Sequence, residues 1–363
     1  MKINVLSLFD GISCAQQALN RVGIQYDKYY ASEIDKHAIN STMSNYPDTI
    51  QLGSVTRIDC SKITTIDLLV GGSPCTNFSF AGKMKGMVTN TNIEITSFEQ
   101  YMKLKNEGFK FEGQSYLFWE YVRVLREVKP KYFLLENVMM EEKWEKIISK
   151  ELGVSPIRIN SSLLSAQSRK RNYWTNIGMQ PAGLFGYPVS IIKQPKDKGI
   201  LLKHILQPES EVNEKYYLSD KMLSFFISNH EKMKANNQGF SFTPTENFDI
   251  KSKTVTTKEG SRMENNFIKV SKDGKIKANQ NKSDCFTAGG NSGGNHSDMD
   301  LIFLLENYRI RRLTPIEVCR LQTIADDYFF KNGKQIFSDT QIYKSCGNSF
   351  TVDVIAYLLK HIK

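Results

Sequence analysis

Over its first 178 residues the chain alternates short strand-like apolar runs with helix-like segments, and this order restricts the fold more than any other feature. "INVLSLF" leads into "AQQALNRVG" and "YDKYYASEI" into "KHAINSTMSNYP", while "IDLLVGG" and "KYFLLENV" flank "SYLFWEYVRVLREVKP". Within that last helical segment Leu117, Phe118, Tyr121, Val122 and Leu125 recur with the period of an α-helix, and Lys129-Pro130 stops it. Strand–helix–strand order of this kind predicts an α/β fold with a mostly parallel sheet and helices on both faces. The first strand starts within a few residues of Met1, so its outer face needs a cover from elsewhere. The spare helix is the C-terminal one, from about Ser349 onward, which predicts that the chain leaves the sheet and later returns to it.

Residues 179–308 lose the rhythm and turn rich in Lys, Asn, Ser, Thr and Gly, with short β-like pieces and a glycine-rich "AGGNSGGNHSD". The expected division is a sheet domain over 1–178, a second domain over 179–308, and a returning segment over 309–363 that completes the first. A length of 363 residues suits two domains. The net charge is +10, and residues 191–282 carry 17 Lys/Arg against 11 Asp/Glu. A basic excess gathered in one part of an enzyme hints at a nucleic-acid footprint, although a solvated surface gives the same count. No apolar run approaches roughly 18 residues, so no membrane span is expected. "MKINVLSLFDG" has no signal-peptide pattern. The six cysteines (Cys14, Cys60, Cys75, Cys285, Cys319, Cys346) are scattered and form no C-x-x-C. They predict free thiols, a reducing cytoplasmic setting and no metal site.

Three loops carry the chemistry. "LSLFDGIS" is a strand followed by Gly11 at a turn into a helix, where backbone N–H groups suit a nucleotide-like ligand. Ser13 occupies the place of a second glycine, so this is not the dinucleotide fingerprint. Glu33, 22 residues after Gly11, closes the second strand where a carboxylate accepts ribose hydroxyls. In "DLLVGGSPCTNFSFAG", Gly71-Gly72-Ser73-Pro74 deliver Cys75 to the carboxyl end of a strand, where ligands of open α/β sheets bind. A buried structural thiol is the ordinary alternative. A zinc deaminase would show P-C-x-x-C, whereas Thr76-Asn77-Phe78 follow here. The five histidines sit in no suggestive motif, so a Cys nucleophile here would need an acid acting on its substrate. "FLLENV" supplies one, Glu136, beside Asn137 on the next strand.

Taken in order, these segments resemble the DNA cytosine-5 methyltransferases, and the likeness runs through nearly the whole chain. "SLFDGIS" resembles the S-adenosylmethionine loop, "ASEID" the ribose acid, "GGSPCTNFS" the nucleophile loop and "ENV" the acid. "AQSRKRNYW" is similar to Q-x-R-x-R as Gln167, Arg169 and Arg171. "RRLTPIEVCRLQ" resembles the segment that scaffolds the recognition domain, and "GNSFTVDVIAYLL" the closing cofactor motif. The resemblance implies a Rossmann-like S-adenosylmethionine-dependent methyltransferase fold with a smaller, mostly β or irregular target-recognition domain. It implies Pro74, Cys75, Glu136, Asn137, Arg169 and Arg171 as catalytic residues. It further implies Phe9, Asp10, Gly11, Ser13, Glu33, Ile34, Ser54, Val55, Leu117, Asn348 and Ser349 around the cofactor. Ser79, Gln167, Arg169 and Arg171 would meet DNA. Two departures stand out. Gly53-Ser54-Val55 replaces the family's Gly-Asp-Ile, and residues 82–114 are long for a connection, expected to form a lid with a helix at "ITSFEQYMKLKNEG".

The implied reaction is methyl transfer from S-adenosylmethionine to C5 of a flipped cytosine in double-stranded DNA, with Cys75 bonded to C6. The expected protein is a monomer without a metal, with a cognate restriction endonuclease as a candidate partner. Two alternatives remain at this stage: a tRNA cytosine-5 methyltransferase, which shares Pro-Cys and Glu-Asn-Val, and a catalytically idle DNA-binding module.

Overall fold

The computed structural model describes residues 2–74, 87–182, 187–236, 241–272 and 308–363. The chain forms two compact units. The first comprises Met1–Leu164, Arg169–Asp197 and Ser349–Lys363, and the second Ser165–Ser168 and Lys198–Asn348.

Within the first unit the early alternation becomes β1 (Ile3–Leu8), α1 (Cys14–Val22), β2 (Tyr26–Ser32), α2 (Lys36–Asn45), β3 (Ile50–Gln51) and β4 (Leu68–Gly72). Next come α3 (Phe98–Asn106), α4 (Phe118–Val128), β5 (Tyr132–Val138), α5 (Glu142–Leu152), β6 (Ile157–Asn160) and β7 (Lys170–Thr175). Among the described residues these strands make a seven-stranded sheet in the order β3-β2-β1-β4-β5-β7-β6. Strands β1 to β5 pair in parallel, and β7 runs antiparallel between β5 and β6. The α/β reading with a mainly parallel sheet therefore holds. Leu6, Leu8, Leu68, Leu69, Val70, Leu134 and Leu135 are wholly buried, as strands covered on both faces require.

Two glycines at the end of β4 set how closely its neighbours approach. A Cβ on Gly71 would lie 2.9 Å from the ring of Tyr121, and one on Gly72 would lie 2.6 Å from the ring of Phe350. The absence of side chains at both positions lets α4 and the returning segment close on the strand end. That segment forms α9 (Val352–Leu359), which packs beside α1 and ion-pairs Asp353 to Arg21. Ser161 and Thr351 hydroxyls meet at 2.8 Å.

The units divide at points other than 178/179 and 308/309. The hairpin of β8 (Met179–Ala182) and β9 (Tyr187–Ser190) stays with the first unit. Just beyond it, Ile191 N–H donates to Gly178 O, Gln194 to Arg158 O at 2.7 Å, and Tyr357 to Lys193 O at 2.9 Å. Residues 309–348 belong to the second unit because β11 (Tyr308–Arg312) pairs with β10 (Phe267–Ser271). Tyr343 also donates to Leu313 O at 2.6 Å and Lys215 ion-pairs with Asp339 at 2.8 Å. This unit carries α6 (Asp220–Ala235), α7 (Pro315–Leu321) and α8 (Asp339–Asn348) besides the β10–β11 pair. Leu223, Phe226, Phe242, Met263, Phe267 and Ile310 form a core within it.

The helix expected inside 82–114 is α3, and the described part of that segment, 87–114, packs into the first unit's core. Met87, Ile95, Tyr101 and Leu104 are buried with Trp119 and Tyr121 of α4. Arg126 ties α4 to Glu99 at 2.9 Å.

Replacing Gly72 by Ala should lower stability by about 1–3 kcal/mol through overpacking. Adding Phe350→Leu to the same chain should recover most of that loss in denaturant titrations. A Gly72→Ala protein as stable as the parent would show that the ring does not depend on the missing side chain.

Candidate active site

In the sheet order, β1 leads outward to β2 and β3 on one side, while β4 and β5 extend on the other. The chain direction through the sheet therefore switches between β1 and β4, and open α/β sheets bind ligands outside the carboxyl ends of the strands at such a point. Two of the loops singled out from sequence leave the sheet there: Phe9–Ser13 after β1, and Ser73-Pro74 after β4. Cys75 and Ser79 lie outside the described residues.

The loop after β1 is held in an unusual backbone. Phe9, Gly11 and Ser13 have φ of 56°, 56° and 54°. Left-handed conformation costs a bulky residue such as Phe, and such positions gather at ligand sites. Glu33, one residue beyond β2, binds this loop: its Oε2 accepts Gly11 N–H at 2.8 Å, and its Oε1 accepts the N–H of Ile34 and Asp35 at 2.7 and 2.8 Å. Ile34 next to it is 69% exposed, and nothing lies within 4 Å of where a Cβ on Gly11 would be. Asp10 is buried, accepting from Tyr29 at 2.8 Å through Oδ1, while Oδ2 has no hydrogen-bond partner. Burial pushes the Asp10 carboxyl up to about 6, and hydrogen bonding offsets only part of that rise. Ser54 Oγ meets Thr56 Oγ1 at 2.9 Å, and Val55 is buried. Leu117 lies at the edge of the core below α4.

On the other side of the switch, register places Gly72 directly beside Glu136 in the β4–β5 ladder. Asn137 is buried and donates through Nδ2 to Ser73 O at 3.2 Å and Ser73 Oγ at 3.0 Å, while its Oδ1 accepts Val138 N–H. The loop that continues to Pro74 and Cys75 is thus gripped by the neighbour of the acid. Arg171, at the register of Val138 on β7, brings Nε to 3.1 Å from Glu136 Oε1. Acid, amide and guanidinium meet on one rim.

Two residues of the Q-x-R-x-R segment are buried and held by hydrogen bonds to partners far along the chain. Gln167 is fully buried in the second unit. Its Nε2 donates to Leu321 O and Gln322 Oε1 at 2.7 and 2.8 Å, and its Oε1 accepts Val255 N–H. Its polar atoms are engaged within the unit, and they anchor the 165–168 segment. Arg169 is 5% exposed and donates through Nη2 to Ser349 O at 3.0 Å. It holds the start of the returning segment. Asn348 ends α8 in the second unit and is not grouped with the first unit's loops.

Sequence reading missed Phe350, whose ring covers Gly72, and the charged trio Glu120, Arg123 and Glu127 on α4. The signal for the trio was present: charges at i, i+3 and i+7 on a helix otherwise read as apolar. Cys14 is a structural thiol, since burial pushes it up to about 12.

Residues 3–363 match the profile of the C-5 cytosine-specific DNA methylases. The chain belongs to that family. Among similar proteins, the orphan methyltransferase M.SPRI of Bacillus phage SPR is 26% identical over 463 aligned residues, covering 99% of this chain and 97% of the relative. The type II methyltransferase M1.ScrFI of Lactococcus lactis subsp. cremoris is 27% identical, covering 98% and 76%. The solved structure of the Entamoeba histolytica methyltransferase EhMeth superposes with a TM-score of 0.63 at 16% identity, covering 99% of this chain and 98% of that one, a likeness of fold.

S-adenosylmethionine is the methyl donor in this C-5 cytosine methylase. The rim suits a nucleoside of this kind. It combines an open glycine turn, an exposed apolar side chain at Ile34, and a Glu33 carboxylate with about four acceptor sites, of which three backbone N–H groups fill three. Among the described residues no group of three His, Cys, Asp or Glu side chains is placed to hold a metal, and no helix is long and apolar enough to cross a membrane.

Glu33→Ala should weaken S-adenosylmethionine binding by about 1–3 kcal/mol, since it removes both a ligand acceptor and the clamp on Gly11. Calorimetry that finds the affinity unchanged would remove Glu33 from the cofactor site.

Proposed function

We propose that the chain is a DNA cytosine-5 methyltransferase that works through a covalent bond between Cys75 and C6 of the target base. The observation that carries this reading is the β4–β5 rim, where Gly72 pairs with Glu136 and Asn137 grips Ser73. A nucleophile two residues beyond Ser73 and an acid on the adjacent strand then serve one base. The names of the phage and bacterial relatives, with the family's own description, support DNA as the substrate.

The target cytosine leaves the stack, because ring atoms inside a duplex are out of reach. When bound, S-adenosylmethionine supplies an electrophilic methyl group. Phe9, Asp10, Gly11, Ser13, Glu33, Ile34, Ser54, Val55, Leu117 and Ser349 are the first unit's residues assigned to its pocket. Cys75 adds as thiolate to C6 while Glu136 holds the N3 side, so charge pushed into the ring is stabilised and C5 becomes nucleophilic. Arg171 contacts the ring O2 and holds Glu136 in place. Asn137 keeps the Pro74-Cys75 loop on the rim. Once C5 is methylated, its proton leaves as the Cys75–C6 bond breaks, which returns the thiolate and 5-methylcytosine.

The second unit is assigned to reading the duplex. Its described cations between 251 and 262 differ in exposure. Lys251 is half-buried and donates to Ser165 O at 3.2 Å, whereas Lys253 is exposed and reaches Thr243 Oγ1 at 2.9 Å. Lys258 and Arg262 stand exposed on a loop tied from inside by Glu259, which accepts from Thr256 and Asn266 N–H. They are the side chains best suited to phosphate contact.

A duplex carrying 5-fluorocytosine at the target position tests nucleophile and substrate together. Fluorine cannot leave C5 as a proton does, so the enzyme should stall as an adduct that survives denaturation. Cys75→Ser should form none, since a neutral hydroxyl is a far weaker nucleophile than a thiolate. Glu136→Gln should form it slowly. An adduct that persists in Cys75→Ser, or that forms on structured tRNA in preference to duplex DNA, would overturn the reading.

A further inference from the structure

We infer that Arg123 is a positioning residue for S-adenosylmethionine, coupling the 87–112 insertion to the Gly53–Ile58 loop assigned to the cofactor pocket. The inference rests on the assignment of Ser54 and Val55 to that pocket. All the groups involved lie within the first unit.

The loop in question, Gly53 to Ile58, is fastened from two sides. At its start Gly53 takes φ of 72°, and its carbonyl accepts from Ser32 Oγ at 2.7 Å, one residue before Glu33. Further along, Arg123 of α4 donates through Nη2 to Val55 O at 2.9 Å and through Nη1 to Ile58 O at 3.3 Å. Two side chains therefore fix the loop, one from β2 and one from α4.

Arg123 is itself held. Its Nε donates to Glu120 Oε2 at 2.8 Å and its Nη1 to Glu127 Oε2 at 2.9 Å. The Glu120 carboxylate is wholly buried. Such a charge persists only when paired and hydrogen-bonded. Two of its partners come from the insertion: Tyr101 donates to Oε1 at 2.5 Å, and Lys105 forms an ion pair with the same oxygen. Tyr101 is anchored in turn, buried and stacked on Trp119. The path runs from α3 through Glu120 and Arg123 to the carbonyls of the loop, with every step a hydrogen bond or ion pair.

This chain has particular use for such a support. Ser54 replaces a carboxylate, and its hydroxyl meets Thr56. The loop's grip on the cofactor therefore depends on where its backbone sits, which Arg123 sets. A planar fork that spans two carboxylates and two carbonyls has no equivalent in Lys, which is a single point charge on a flexible stem.

Arg123→Lys keeps a cation beside Glu120 and loses the reach to the loop. Calorimetry should show S-adenosylmethionine bound about tenfold more weakly, and Tyr101→Phe about threefold. The KM for the cofactor should rise while kcat at saturation holds. Amide exchange should quicken across 53–58 and stay unchanged in β1 and β4. Cofactor affinity equal to the parent in Arg123→Lys would overturn the inference, as would faster exchange throughout the sheet with kcat and affinity falling together. If Arg123→Lys does not fold, Tyr101→Phe decides by the same readouts. Glu33→Ala in the same assay separates the two ideas. If it weakens binding while Arg123→Lys does not, this inference alone fails. If neither does, the cofactor assignment fails.

Discussion

The parallel pairing of β4 with β5 sets Gly72 beside Glu136, and Asn137, next along β5, closes two hydrogen bonds on Ser73. Most of the proposed chemistry depends on that short stretch of ladder. It converts two segments some sixty residues apart, "GGSP" and "ENV", into one rim. It also explains the paired glycines: Tyr121 presses on Gly71 and Phe350 on Gly72, so the strand end is closed on both faces by rings that side chains there would displace. Ser73 is thus anchored at the loop's exit from the sheet, beside the acid.

The cofactor side is built by a different device. Glu33 pulls the Gly11 turn onto the end of β2, and Phe9 and Ser13 accept left-handed backbone on either side of it. A buried Asp10, with one oxygen lacking a hydrogen-bond partner, lies in the same turn. Strain and an unfilled acceptor in one five-residue loop are features that a bound ligand can compensate. Arg123 supports the neighbouring loop from behind, so the rim is held both by its strands and by the helix beneath.

Much of this was legible in the chain. The alternation of strand and helix over the first half marked β1, β2, β4 and β5 but not the two-residue β3, and the N-terminal strand's need for a cover pointed to a helix returning from about Ser349. Glu136 and Asn137 near the end of β5, Glu33 just past β2 and Arg171 near the start of antiparallel β7 lie at the same edge of the sheet. Other features were not legible, for a physical reason. The buried hydrogen bonds of Gln167 and Arg169 could not be read because their partners, Leu321, Gln322, Val255 and Ser349, lie far away in sequence. The unit boundary at 197 depends on hydrogen bonds that hold the β8–β9 hairpin and the chain after it, which composition does not report. The segment at 87–114 looked like a lid from its length, yet its apolar residues had to be buried somewhere, and α4 offered the surface.

The central claim is that this rim methylates C5 of cytosine in duplex DNA. Base-resolution sequencing of cytosine methylation, on both DNA and RNA from a methylation-free host expressing the chain, tests it most directly. The account predicts 5-methylcytosine in the DNA at one fixed sequence context, lost when Asn137 is replaced by Ala and the Ser73 grip is broken. Unmethylated DNA from a host in which the protein is folded and abundant, or new 5-methylcytosine confined to RNA, would contradict it.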